Sequence, residues 1–368
     1  MIKYGIITHY YFYGSCQALY DFLKNKNNVS MVEIPLDFDE KFLKKEILVS
    51  QEKTKKKFKI ISVRNKILNY FIQFYYSFYF QTKYFKKIDH VISCNPFNCI
   101  ITIILKRFLS IKKISYFSID YSAKRFDYHL LNKIYLYLDL LCYYFSDENW
   151  DISPKMYSGR IKNFSQLNKL KIKKKIKIVP VGIWKNEIKK INNKKKINFA
   201  YIGDINERSG SYDILNYLKM INKSKFRFFY VGDGEIKNKI KKKIKKLKLE
   251  KNIFFIDWVN QKKLLKILSN IDFGFAPYRN LEHNKNMFPT KIITFLSKSI
   301  PVFTTDHNFF CKKIIDVKAG IKLSKNNFKK NFDKIRVDIE YKRKLSNNAF
   351  KLSEDYKWQK IFKEALNI

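Results

Sequence analysis

Short apolar segments alternate with longer amphipathic ones along the chain. The alternation runs through once, pauses at a lysine-rich joint, and starts again. The first series of expected strands is "IKYGII" (2–7), "SMVEIPL" (30–36), "HVISC" (90–94), "KISYFSI" (113–119) and "KIVPVG" (177–182). After the joint at 189–196 come "INFAYIG" (197–203), "FRFFYVG" (226–232), "NIFFID" (252–257), "IDFGFAP" (271–277) and "IPVFTT" (300–305). Strands separated by helical patterns make βαβ units and therefore parallel sheets. A length of 368 residues is ample for two hydrophobic cores. The expected fold class is α/β with two Rossmann-like domains, jointed near 183–196.

The segment after "VGDG" has the helical period. Ile236, Ile240, Ile244 and Leu247 fall on one face and lysines fill the other, a solvated face rather than a nucleic-acid stripe. The aromatic-rich run 67–82 is too short to span a membrane. It carries Asn69, Gln73, Ser77 and Gln81 at four-residue intervals. That stripe fits a mostly buried helix, or one lying on a membrane between Lys66, Lys83, Lys86 and Lys87.

The net charge is +43, from 75 Lys and Arg against 32 Asp and Glu. Such a chain attracts polyanions: nucleotides, nucleic acid or an anionic membrane. Enrichment in Lys, Ile, Asn, Phe and Tyr together also has a plain compositional explanation. The five cysteines, Cys16, Cys94, Cys99, Cys142 and Cys311, are scattered without metal spacing, which suits a reducing cytosol. The N-terminal "MIKYGIITHYYFYG" has no secretory signal pattern.

Ligands of open parallel sheets bind outside the carboxyl ends of the strands. After the first strand, Gly14 and Ser15 stand at the turn into a helix. After the sixth, Gly203 ends the strand, and Arg208, Ser209 and Gly210 precede a helix. Arg208 offers a planar fork of donors to a phosphate. The stretch "NMFPTKIITFLSKSIPVFTTD" (286–306) reads as loop, helix and buried strand, with Thr290 able to cap the helix. Free amides at Met287, Phe288, Thr290 and Lys291 around Pro289, with the Lys291 ammonium, are suited to an anion. No phosphate-cradling P-loop motif and no His, Asp and Glu cluster with metal spacing is present, so no metal site is expected.

Taken in order, these landmarks resemble the GT-B glycosyltransferases of the family-4 type. "YIGDINERSGSYDILNYL" is similar to the family's G-R-x(4)-K-G phosphate loop. "FYVGDGEIKNKIKKKIKKLKLEKNIFFIDWV" and "LLKILSNIDFGFAPY" are similar to its next two blocks. "FPTKIITFLSKSIPVFTTD" is similar to P-S-K-x-x-E-Y-x-A-x-G-x-P-V. "YFSIDYSAKRFDYHLLNKIYLYLDLL", "NWDISPKM" and the closing "DYKWQKI" resemble the rest of such enzymes, so the likeness covers nearly the whole chain.

The resemblance implies two domains facing a central cleft. Residues 1–182, with a returning helix 352–368, would form the acceptor domain, and 183–351 the nucleotide-sugar domain. It implies transfer of a sugar from a UDP- or GDP-linked donor to a glycan or lipid-linked acceptor, with retention and without a metal or other cofactor. Arg208, Ser209, Gly210 and the 287–291 amides would hold the diphosphate, and Trp258 and Val259 would lie near the base. Asp120 stands where many members have a histidine facing the sugar. Work on surface polysaccharide, capsule, lipopolysaccharide or glycolipid would place the protein in the cytoplasm or at the inner face of its membrane.

Departures from the family pattern are specific. Its two glutamates, eight residues apart, correspond to Asn286 and Thr294. The usual arginine is Asp204, the usual lysine Ser209 and the usual turn glycine Ser299. Glu207 and Glu282 are the candidates to replace a missing carboxylate. The alternatives are an inactive or non-transferring GT-B homologue (an epimerase or a partner subunit) and a basic nucleic-acid-binding protein. The latter is disfavoured because no nucleic-acid motif is present.

Overall fold

The computed structural model describes the chain apart from residues 10–12, 36–45, 52–53, 62–65, 126–127, 164–174, 190 and 192–194. It divides into two compact units, one of Met1–Val181 with Ile361–Ile368 and one of Gly182–Lys360.

The first unit runs β1 (Lys3–His9), α1 (Ser15–Leu23), β2 (Asn28–Ile34), β3 (Glu46–Gln51), β4 (Thr54–Lys59), α2 (Lys66–Tyr84), β5 (His90–Cys94) and α3 (Pro96–Leu105). It continues with β6 (Lys113–Ser118), α4 (His129–Phe145), β7 (Glu148–Asp151), α5 (Lys155–Asn163) and β8 (Ile176–Ile178). The sheet order is β4-β3-β2-β1-β5-β6-β7-β8. From β2 to β8 every pairing is parallel. The hairpin β3–β4 adds an antiparallel edge that the alternation did not announce. Its outermost strand, "TKKKFK", is almost wholly exposed. A row of lysines on an edge strand discourages pairing with another chain.

α2 reverses the usual polarity of a surface helix. Its polar stripe faces inward, where Asn69, Ser77 and Gln81 are buried. Ser77 Oγ donates to Asn98 Oδ1 at 2.8 Å, and Gln81 Nε2 donates to Ser77 Oγ at 3.0 Å. Thr102 Oγ1 of α3 donates to Gln81 Oε1 at 2.7 Å. Ser77, Gln81 and Thr102 thus recover in the α2–α3 seam the hydrogen bonds they gave up to water. The side chain of Lys66 lies outside the described residues.

A second buried polar group organises the other end of this unit. Arg160 of α5 donates through Nε to Asp139 Oδ2 of α4 at 2.8 Å and through Nη1 to Asp151 Oδ1 of β7 at 3.2 Å. Its Nη2 donates to Ser118 Oγ at 2.6 Å, and its guanidinium lies 4.7 and 4.3 Å from the ring centroids of Tyr121 and Tyr143. Two carboxylates and two aromatic faces offset the desolvation of one cation.

The second unit runs β9 (Ile197–Ile202), α6 (Ile214–Leu218), β10 (Phe226–Val231), α7 (Lys237–Lys246), β11 (Ile253–Ile256), α8 (Gln261–Leu268) and β12 (Phe273–Ala276). Then come α9 (Glu282–Asn286), α10 (Thr290–Leu296), β13 (Val302–Thr304), α11 (Phe309–Asp316), β14 (Gly320–Lys322), α12 (Lys325–Val337) and α13 (Ile339–Glu354); α14 (Trp358–Leu366) starts in this unit and from Ile361 belongs to the first. The order β11-β10-β9-β12-β13-β14 is parallel throughout. Phe199 of β9 sits at the centre of the core, its ring within 6.5 Å of those of Phe226, Phe273, Phe275, Phe303 and Phe332. Ile240 and Ile244 of α7 pack on this core, as their period predicts. The order in which strands are added reverses between β9 and β12, and in open parallel sheets a ligand crevice lies at the carboxyl ends of the strands at such a point.

Candidate active site

The chain is bent sharply at the ends of β9 and β10. Gly203 has φ +100° and Gly232 φ +142°. A Cβ on Gly232 would fall 2.2 Å from Gly203 O, so the two turns touch through backbone alone. The turns open a cavity of about 470 Å³ beside them. Gly203, Asp204, Arg208 and Ser209 line it from β9, and Trp258 and Val259 from β11. Met287, Phe288, Thr290, Lys291 and Thr294 line it from the α9–α10 region. Ten of the residues singled out from the sequence thus meet on one cavity.

The Lys291 ammonium is strongly altered by its surroundings. Nζ donates to Tyr201 Oη at 2.7 Å and stands 4.0 and 5.3 Å from the ring centroids of Tyr201 and Tyr278. Burial lowers its pKa to about 7, against the opposing pull of the Asp204 carboxylate. Tyr201 Oη lies 2.5 Å from both Asp204 O and Ser209 Oγ, and burial raises its pKa. Arg208 is exposed at the cavity rim, and among the described residues nothing engages its guanidinium. Trp258 is 58% exposed.

Other expected site residues have different surroundings. Gly210, at φ +70°, does not line the cavity: its N–H donates to Glu207 O, and a Cβ there would fall 1.9 Å from Pro277 O. Its backbone freedom serves the packing of the turn. Ser209 lines the cavity, but its hydroxyl donates to Asn206 O at 3.0 Å and its N–H to Asn206 Oδ1 at 2.9 Å. The 287–291 segment is less open than the sequence suggests. Met287 N–H donates to His283 O, and Thr290 N–H to Phe288 O. Pro289, not Thr290, is the N-cap of α10, and no side chain caps it. Thr294 Oγ1 donates back to Thr290 O at 3.3 Å.

Asn286 is buried beneath the cavity wall. Neither candidate replacement for the missing carboxylate reaches the cavity. Glu207 pairs with Lys239 at 2.8 Å and Glu282 with Lys285 at 4.0 Å, whereas Asp204 does line the wall.

Gly14, Ser15 and Asp120 belong to the first unit. Gly14 has an extended φ of −138°, and its N–H donates to Gln17 Oε1 at 3.0 Å. The backbone there needs no glycine. Ser15 is buried at the start of α1. Asp120, exposed beyond β6, pairs with Arg125 at 3.3 Å.

Sequence reasoning missed the residues that hold the loops together. Asn284 Nδ2 donates to Arg208 O at 2.8 Å and Arg279 O at 2.9 Å. Asn308 Nδ2 donates to Asn284 O at 2.6 Å and Met287 O at 2.9 Å. Two asparagines therefore fasten three loops of the cavity wall. The visible signal was Asn308 as an N-cap, its Oδ1 accepting from Phe310 N–H.

Comparison with known proteins agrees with this geometry. Residues 182–352 match the family described as Glycosyl transferases group 1. No curated protein matches the chain. Among solved structures, Anabaena HepE in complex with UDP and glucose is 11% identical with a TM-score of 0.70, covering 100% of this chain and 99% of that one. The lipopolysaccharide outer core galactosyltransferase WaaB is 15% identical with a TM-score of 0.65, covering 100% and 98%. WaaG, a glycosyltransferase involved in lipopolysaccharide biosynthesis, is 13% identical with a TM-score of 0.64, covering 99% and 98%. At these identities the structures establish the fold, and the family match over the cavity-bearing unit establishes the class. Residues 182–352 are a glycosyl transferases group 1 domain, and the chain as a whole has the fold of the GT-B glycosyltransferases.

Proposed function

We propose that the protein transfers a sugar from a UDP-linked donor to a glycan or lipid-linked acceptor in surface polysaccharide or glycolipid synthesis. The observation that carries this is the convergence of Lys291, Arg208 and an exposed Trp258 on one cavity at the switch point of the sheet. Trp258 and Val259 offer a platform for the base, Gly203 lets the backbone approach the diphosphate, and Lys291 and Arg208 supply cations. HepE, of the same fold, was solved with UDP and glucose. The acceptor falls to the first unit, and Asp120 is our candidate residue facing the sugar.

In the reaction, the bond from the anomeric carbon to the β-phosphate oxygen breaks, and its electron pair stays on the diphosphate. The acceptor hydroxyl oxygen bonds to the anomeric carbon and releases its proton, which the departing phosphate can take. Attack from the side on which the diphosphate leaves gives retention. Charge grows on the leaving group, so cations fixed beside it stabilise the transition state more than the ground state. In this reading Lys291 and Arg208 supply that charge without a metal. Among the described residues no helix is long and apolar enough to cross a membrane. Work at the inner face of the cytoplasmic membrane would then rest on surface attachment.

A thermal-shift screen against UDP, GDP, CDP, ADP and their sugars tests the reading. UDP should raise the melting temperature by mass action, and Arg208→Ala or Lys291→Ala should abolish the shift. The absence of a shift with every nucleotide sinks it. Binding without transfer would favour a non-transferring homologue, the reading that Asn286 and Thr294 keep open.

A further inference from the structure

Tyr201 of β9 has no part in the reaction described above, yet it holds the ammonium on which that reaction depends. It is fully buried and does not line the cavity. Its ring packs in the core of the second unit, 5.8 Å from that of Tyr230. Its hydroxyl meets the loop that follows the strand. There it accepts from Lys291 Nζ at 2.7 Å, and its own proton has two acceptors at 2.5 Å, Asp204 O and Ser209 Oγ. Ser209 Oγ passes the chain on by donating to Asn206 O at 3.0 Å. A hydroxyl that can turn serves both states of a lysine. It accepts from the ammonium while donating to the loop, and it can donate to the neutral amine instead.

The other groups around the ammonium act without a direct bond. Among the described residues, Tyr201 Oη is the sole hydrogen-bond partner of Nζ. The Asp204 carboxylate favours the charged lysine from the loop after β9. Cys311 of α11 faces it as a thiol that burial pushes up to about 12. Tyr278, beyond β12, offers its ring at 5.3 Å, and burial holds its phenol proton. Arg208 and His283 share the cavity wall. A hydrogen bond from an ammonium is stronger than one to a neutral amine, so the Tyr201 hydroxyl supports the charged state more than the neutral one.

We propose that Tyr201 is a positioning residue of the donor site: its hydroxyl, held between Lys291 Nζ and the loop 204–209, fixes the direction from which that ammonium meets a diphosphate. This rests on the reading of the cavity as a UDP site for its purpose. The coupling of Tyr201 to Lys291 is measurable without a nucleotide.

The test removes the hydroxyl alone, with Tyr201→Phe, which keeps the ring. Tyr230→Phe is the control: Tyr230 Oη donates to Ser211 O at 2.8 Å in the same core and has no bond to Lys291. The full chain, labelled with carbon-13 at the lysine Cε positions, is titrated by NMR, and Lys291 is identified by the signal that Lys291→Arg removes. In Tyr201→Phe the Lys291 midpoint should fall by about one pH unit, the excess of a charge-assisted over a neutral hydrogen bond, and in Tyr230→Phe it should stay. By calorimetry, Tyr201→Phe should bind UDP about fivefold more weakly than the native chain at pH 7 and within about twofold of it at pH 5.5, where Lys291 is protonated in both. Any contribution of His283 is common to native protein and variants. An unmoved midpoint overturns the proposal. Equal loss of UDP affinity at both pH values overturns it too, since a hydroxyl that only packs the turn would act alike at each. A moved midpoint in a chain whose native form does not bind UDP would count against the donor site and leave the coupling of Tyr201 to Lys291 standing.

Discussion

Lys291 allows the site to be tested by pH alone. Burial lowers its pKa to about 7 in the empty cavity, so the group is about half protonated at pH 7 and about 1% protonated at pH 9. A diphosphate beside the ammonium favours the charged form and returns the pKa toward the ordinary lysine value. Binding then requires the protonated fraction of the free protein. Affinity for UDP should fall about fiftyfold from pH 7 to pH 9, approaching tenfold per unit at the upper end. The terminal phosphate of UDP has largely lost its own proton above pH 7, so it adds little slope in this window. Titration calorimetry in buffers of different ionisation enthalpy should show close to one proton taken up per UDP at pH 8. Lys291→Arg should flatten the profile, because a guanidinium stays charged throughout. Stability in the absence of ligand gives a second sign. The folded pKa lies below the unfolded value of 10.5, so the unfolded chain binds more protons between about pH 7 and 10. This group therefore makes stability rise with pH across that window. Lys291→Met should raise the melting temperature of the empty protein at pH 7 while abolishing the UDP response. A flat affinity profile for the native enzyme, or an unchanged slope in Lys291→Arg, would refute the assignment of Lys291 to the diphosphate.

Three further outcomes follow from the structure. Gly210→Ala puts a Cβ 1.9 Å from Pro277 O at a positive φ, and should cost about 2–4 kcal/mol in urea unfolding; a loss below about 1 kcal/mol would show that the turn yields. Arg160→Ala strands Asp139 and Asp151 and should cost about 3–5 kcal/mol at pH 8. The loss should shrink at pH 5, since burial already raises Asp151 to about 6 and its orphaned carboxylate can protonate; equal losses at both pH values would contradict this. Thr294→Glu replaces a hydroxyl that bonds Thr290 O with a carboxylate on the cavity wall, and calorimetry should show UDP binding about five- to tenfold tighter; weaker binding would mean that the ribose lies elsewhere.

The second sheet was legible because its central strands are largely buried on both faces. "INFAYI" and "FRFFYV" stand out as apolar runs between helical patterns, and glycines mark where they stop. β14 and the β3–β4 hairpin were missed for opposite reasons. β14 has only three residues, too few for a period, and β4 is an exposed edge whose lysines read as loop. At the cavity, residue types that carry charge or allow tight turns were visible. Asn284 and Asn308 were not, because their work is to donate to backbone carbonyls far along the chain. No local pattern encodes that partner. Two of the 287–291 amides, Met287 and Thr290, donate to nearby carbonyls, a use of the local turn and helix that the residue types alone did not show.

α2 shows a different limit. Periodicity says which residues share a face and does not say which face is inside. On α7 the two questions have one answer, since isoleucines oppose lysines and only the isoleucines can be buried without a partner. On α2 the rings and the polar stripe compete. The polar stripe goes inward because α3 presents Asn98 and Thr102 at matching positions, so each buried amide and hydroxyl finds its hydrogen bond. The preference of α2 is thus decided by residues some twenty positions away in sequence. Once the stripe is inside, Phe71, Phe74, Tyr75 and Phe78 are left exposed, while Phe80 stays in the core. The same pairing that satisfies the core therefore turns part of the apolar side of α2 outward.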